Sequence, residues 1–129
     1  MWVTAIEALL AQEDFWALMV NSQCESGPFD GGCLVFAEGL KEARGRGQLV
    51  GLYNNRKMAF DHVGLRLDGI IYDGAGSHGS DPDWVRSFAM LENQDANELT
   101  VIDYSEQENC ITRDPECSKN IALMIKNLI

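Results

Sequence analysis

The sequence predicts an α+β domain in which helices pack on a small, largely antiparallel sheet. Three observations carry that expectation. Asp68-Gly69 sits between apolar runs and is a strong two-residue hairpin signal, because both residues tolerate positive φ. Residues 4–20 and 33–44 carry apolar side chains at helical spacing. Asp81-Pro82 and Asp114-Pro115 each join a capping side chain to a proline suited to a first helical turn.

Taken in order, residues 4–20 read as one amphipathic helix, with Ile6, Leu9, Leu10, Phe15, Trp16 and Met19 on its apolar stripe. Residues 21–32 are a loop by their Asn, Ser, Gly and Pro content. A second helix covers 33–44, with Cys33, Phe36, Ala37 and Leu40 on one face, and Gly45 and Gly47 stop it. Residues 48–53 look like a strand. Residues 62–67 alternate polar and apolar, turn at Asp68-Gly69 and pair back through 70–72. A glycine-rich loop spans 73–80. A helix over 81–91, a strand over 99–104 and a closing helix over 116–128 complete the order α-α-β-β-β-α-β-α.

With 129 residues, no repeat and no low-complexity linker, residues 1–129 make a single domain. A chain of this length buries roughly two-thirds of the surface it exposes unfolded. At 46% hydrophobic residues, its core needs no disulfide or metal. Ten Lys and Arg against 20 Asp and Glu give a net charge of −10. That balance opposes direct nucleic-acid binding and docking on an anionic membrane. Residues 1–20 hold Glu7, Glu13 and Asp14 but no basic residue, unlike a signal peptide. A cytoplasmic location with Cys24, Cys33, Cys110 and Cys117 reduced is therefore expected.

Three residues carry the chemistry together: Cys33, His62 and Asp73. Cys33 follows Gly31-Gly32 where a helix begins, so a thiolate there meets the positive end of the helix dipole. Its own N–H is placed to donate to an oxyanion. With the turn at Asp68-Gly69, His62 falls opposite residue 75, and Asp73 is its diagonal neighbour. Diagonal cross-strand pairs lie about 7–8 Å apart, within reach of an imidazole and a carboxylate. The chain order nucleophile, base, orienter suits a thiol enzyme. Each residue also has a plainer reading: Cys33 as a buried core thiol, His62 as a strand-start residue, Asp73 as a turn residue beside Gly74.

The runs GGCLVFAEGL and DHVGLRLDGIIYDGAG resemble the papain-like superfamily of thiol enzymes, within it the transglutaminase-like and NlpC/P60-like groups. The resemblance covers roughly residues 30–76. It implies Cys33 as nucleophile, His62 as base and Asp73 as orienting residue, with the cysteine-headed helix packed on an antiparallel sheet. Members hydrolyse peptides, cleave cell-wall amides, deamidate glutamine or transfer acyl groups. The superfamily's glutamine upstream of the nucleophile makes Gln23 the candidate second oxyanion donor, with Asn21 beside it and Gly32 lining the approach. Cys24 is a weaker candidate nucleophile, since it lacks the glycine-helix context. His78, in the Gly-Ser loop, is read as a loop residue. The cysteines show no short C-x₂₋₄-C spacing, so no zinc site is expected, and no cofactor is implied.

The acidity is uneven. Residues 1–60 hold seven acids and five bases, whereas residues 61–129 hold thirteen acids and five bases. This second half suggests either a solvated surface or a face that docks a basic protein surface. Two functions stand side by side. One is a small papain-like thiol enzyme acting on a peptide or protein amide. The other is a non-catalytic acidic binding protein, for example a phage-type blocker of a basic nucleic-acid-binding host protein. Trp2 and Trp84 suit either a core or an interface.

Overall fold

The structure, a computed structural model, describes residues 2–29, 31–104 and 111–129. Its helices are α1 (Trp2–Leu10), α2 (Glu13–Val20), α3 (Cys33–Arg44), α4 (Asp81–Leu91) and α5 (Pro115–Lys126). Its strands are β1 (Gln48–Asn54), β2 (Ala59–Leu67), β3 (Ile70–Asp73), β4 (Gly76–His78) and β5 (Leu99–Asp103). A short 3-10 turn, Ala96–Glu98, leads into β5. The strands form one antiparallel sheet in the order β4-β3-β2-β1-β5. The architecture is thus α+β. Cys110, Glu106 and Glu108 lie outside the described residues.

The alternation of β2 and β3 splits the core into two layers. Leu65, Leu67 and Tyr72 pack with α1, α2, α3 and α5 through Ile6, Leu9, Phe15, Phe36 and Ile121. Val50, Leu52 and Ile71 pack on the other face against Trp84 and Phe88 of α4. Burying each of these large apolar side chains contributes about 1.5–3 kcal/mol. α3 and α5 are also pinned together by Ser118, whose hydroxyl donates to the Val35 carbonyl at 2.8 Å.

Several expectations are corrected. Residues 4–20 are not one helix, because Gln12 is extended and separates α1 from α2. Glu13 and Asp14 then fall in the first turn of α2, where carboxylates are favoured by the helix dipole. The Trp16 indole donates to the Leu10 carbonyl at 2.7 Å, a group the end of α1 leaves without a helical partner. That contact leaves Trp16 40% exposed rather than on a buried stripe, while Phe15 and Met19 still reach the core. The glycine-rich loop contains β4, which pairs Ile71 with His78 and Asp73 with Gly76. Ser80, not Asp81, caps α4, accepting from the Asp83 N–H at 3.2 Å. Asp114 caps α5 as expected, accepting from the Cys117 N–H at 3.0 Å.

The turn behaves as its residues predict. Asp68 and Gly69 adopt φ of 53° and 82°, the left-handed region that a two-residue hairpin requires. The resulting register pairs Leu65 with Tyr72, Arg66 with Ile71 and Leu67 with Ile70. A bulge between Leu52 and Tyr53 of β1 sets Leu52 opposite His62 and Tyr53 opposite Phe60, leaving Asp61 as the extra residue.

Candidate active site

Cys33 is the first residue of α3. Gly32 precedes it without any side-chain cap, so that end of the helix offers N–H groups that no side chain takes. The thiol is 4% exposed and borders a cleft of about 460 Å³. His62 comes from β2 and Asp73 from the end of β3, just past the last β2–β3 pair. There the two strands no longer share ladder bonds, and their side chains bond instead. His62 Nε2 and Asp73 Oδ2 lie 2.9 Å apart, both residues buried. Cys33 neighbours His62 closely enough to act on the charge of its ring. With Nε2 committed to Asp73, the nitrogen left for the thiol is Nδ1.

Asp73 is shared more widely than the sequence suggested. Its Oδ1 is 2.9 Å from His78 Nε2 and also accepts from the Ala75 N–H at 2.9 Å. Its Oδ2 accepts from the Trp84 indole at 2.9 Å as well as bonding His62. His78 is therefore no passive loop residue: β4 carries it back over the carboxylate. Trp84 is a buried core residue whose polar edge belongs to the site. Neither could be read from spacing, since β4 is three residues long and α4 approaches from outside the hairpin.

Aromatic rings fix the imidazole. Phe88 stacks on His62 with centroids 4.9 Å apart and planes 23° apart, and Phe29 lies 4.7 Å away. The segment holding Phe29 packs directly on Gly74. A Cβ there would lie 2.6 Å from the Phe29 nitrogen and 2.6 Å from the Pro28 carbonyl carbon.

The charges follow from this packing. Burial disfavours a protonated His62, but the hydrogen bond to Asp73 and the neighbouring Cys33 side chain outweigh it and raise the imidazole to about 9. Burial likewise disfavours an ionised Asp73, yet its bonds to His62 and His78 hold the carboxyl well below the usual carboxylate range. Cys117 is different: burial pushes its thiol up to about 11.

Two sequence candidates do not join the site. Gln23 lines a separate cavity with Asn21, Asp114 and Cys117, and its backbone N–H donates to Asp114 Oδ2 at 2.9 Å. The cap of α5 holds this loop away from the cleft. Gly32 is buried, and its N–H is spent on the Gly27 carbonyl at 3.2 Å; Gly31 borders the cleft instead. Cys24 also lies outside the cleft, with its sulfur 2.8 Å from the Ser22 hydroxyl.

An amide does border the cleft: Gln94. Asn54 accepts the N–H groups of Arg56 and Lys57 on Oδ1, both at 3.0 Å, so its Nδ2 is the donor. That Nδ2 reaches Gln94 Oε1 at 3.4 Å. Gln94 must then present its oxygen to Asn54, and its NH₂ has no hydrogen-bond partner among the described residues. Gln94 lies beyond α4 and carries no sequence signal tying it to Cys33.

Among the described residues no three His, Cys, Asp or Glu side chains are grouped to hold a metal ion. No described helix is long and apolar enough to cross a membrane. Fold and site together define an α+β protein in which a helix-head cysteine beside a cleft neighbours a buried, hydrogen-bonded histidine–aspartate pair. No family model, curated protein or solved structure matches the chain.

Proposed function

We propose that the protein is a papain-like thiol enzyme acting on a peptide or protein amide, with Cys33 as nucleophile. The observation that carries this reading is the His62–Asp73 hydrogen bond beside Cys33, which heads α3 and borders a cleft. An imidazole held up to about 9 keeps a proton and a positive charge beside the Cys33 sulfur near neutral pH.

In this reading the Cys33 thiolate attacks the carbonyl carbon and forms a C–S bond, and the carbonyl electrons move onto oxygen. The Cys33 N–H and the free Gln94 NH₂ are the donors available to that oxyanion. The oxyanion collapses, the C–N bond breaks, and His62 gives its Nδ1 proton to the departing amine. Water or an acceptor amine then attacks the thioester, losing its proton to His62 and releasing the acyl group. Asp73 holds the imidazole through Nε2 and offsets its charge throughout. Hydrolysis and acyl transfer differ only in that second attacker. Cytoplasmic thiol chemistry suits the free cysteines Cys24, Cys33 and Cys117.

The test is the rate of iodoacetamide alkylation at Cys33 against pH, followed by peptide mass mapping, in wild type and His62→Ala. Fast labelling below pH 7 that slows at least about tenfold in the variant supports the reading. Equal, ordinary thiol behaviour in both proteins overturns it. The acidic surface would then be tested by pull-down of basic protein partners.

A further inference from the structure

The charged side chains that line the cleft beside Cys33 are carboxylates. Asp61 and Glu92 border it, along with Gln94 and the rings of Phe29 and Phe88, and no Lys or Arg does so among the described residues. Asp61 is already engaged, accepting from Asn54 Nδ2 at 2.9 Å and from Lys57 Nζ at 3.0 Å. Glu92 is not: its carboxylate has no ion-pair partner among the described residues, and its side chain is exposed.

Its position is also unfavourable for a carboxylate. Glu92 is the C-cap of α4, where the helix dipole is negative and a cation is the stabilising choice. Neither Arg86 nor Arg113 forms an ion pair with it. Arg86 of α4 pairs with Asp83, and Arg113, next to the cleft residue Thr112, forms a two-pronged pair with Glu38. A local electrostatic rule is thus broken at the mouth of the proposed site, which is where function sets such exceptions.

We infer that the cleft selects a cationic substrate, a peptide whose Lys or Arg side chain lies against Glu92 while its carbonyl meets Cys33. This inference rests on the thiol-enzyme reading. Apolar walls from Phe29 and Phe88 receive the aliphatic stem of such a side chain, and Glu92 receives its charged end.

Three methanethiosulfonates test it: a trimethylammonioethyl and a sulfonatoethyl reagent of similar size and opposite charge, and a small neutral methyl reagent. In each, the thiolate attacks the sulfenyl sulfur, an S–S bond forms and a sulfinate leaves. Rates are read at Cys33 by peptide mapping at low ionic strength, relative to 2-mercaptoethanol. The expected cation-to-anion ratio is at least about tenfold above that free thiol, and Glu92→Lys narrows it about fivefold. Glu7→Lys, on α1 outside the cleft, makes the same change in net charge and leaves the ratio within about twofold.

A wild-type ratio near that of the free thiol overturns the inference. So does a Glu7→Lys effect as large as that of Glu92→Lys, since the preference would then belong to the whole chain. The neutral reagent separates the two readings. If it reacts in a His62-dependent way while the charged pair show no preference, the thiol enzyme stands and its cationic selectivity falls. If it does not label Cys33, both fall.

Discussion

His62 and His78 are bound to opposite oxygens of one buried carboxylate, each through Nε2 and each at 2.9 Å. They arrive from different strands: β2 supplies His62 and β4 supplies His78. Asp73 lies between them at the end of β3, and the Trp84 indole closes its remaining approach. Four elements therefore converge on two oxygen atoms, and the consequences can be measured.

Removing the carboxylate should cost more than removing one hydrogen bond. Asp73→Ala leaves two histidines and an indole N–H buried without their partner. Urea denaturation should show a loss of about 3–5 kcal/mol. Asp73→Asn keeps one acceptor oxygen and should lose roughly half as much. Equal stability of both variants and wild type would contradict the shared-carboxylate arrangement.

Stability should fall on the alkaline side. His62 binds its proton more tightly folded than unfolded. Its contribution is complete below about 6.5, the unfolded value, and is lost as pH rises through about 9. Asp73 has the opposite sign: its contribution is present above about 4 and is lost as pH falls toward its depressed folded value. Wild type should lose on the order of 3 kcal/mol between pH 6.5 and 9.5 in urea titrations. His62→Gln should flatten that slope.

Gly74→Ala should disturb the site through the backbone. The new methyl would meet the Phe29 nitrogen and the Pro28 carbonyl, which cannot swing aside as a side chain would. The segment must shift, taking Phe29 off the His62 ring. A stability loss of about 1–3 kcal/mol is expected, together with slower alkylation of Cys33 at pH 6.5. Unchanged alkylation would show that Phe29 does not position the imidazole.

Gln94 should matter for acyl chemistry and not for alkylation. Iodoacetamide develops no oxyanion, whereas p-nitrophenyl acetate does. Gln94→Leu should slow acylation of Cys33 by the ester about tenfold or more while leaving its alkylation within about twofold. Parallel losses in both assays would make Gln94 a structural residue.

The parts of this arrangement that were legible in the sequence are local. Asp68-Gly69 admits one tight turn, and that turn sets the hairpin register. Register with a period of two then places His62 and Asp73 on one face as diagonal neighbours. Gly32 before an amphipathic run marks a helix start and puts Cys33 at its head. The break between α1 and α2 was not legible, because an apolar stripe continues in phase across Ala11 and Gln12. The chain breaks at Gln12, whose backbone is extended, and the Trp16 indole takes up the Leu10 carbonyl across the break, a contact absent from any periodicity.

The amides show the same division from the other side. Gln23 is nearer to Cys33 in sequence, but its loop is tied to Asp114 across the molecule. Gln94 is sixty-one positions away and borders the same cleft as Cys33. Sequence by itself determined α3, α4, α5, the turn, the hairpin register and the helix-head cysteine, because each depends on neighbouring residues and fixed backbone periods. Only tertiary structure decided that α4 brings Trp84 and Phe88 to the imidazole, that β4 folds His78 onto Asp73, and that Gln94 borders the cleft. Those contacts depend on how separate elements pack, and packing is a property of the whole core rather than of any stretch of chain.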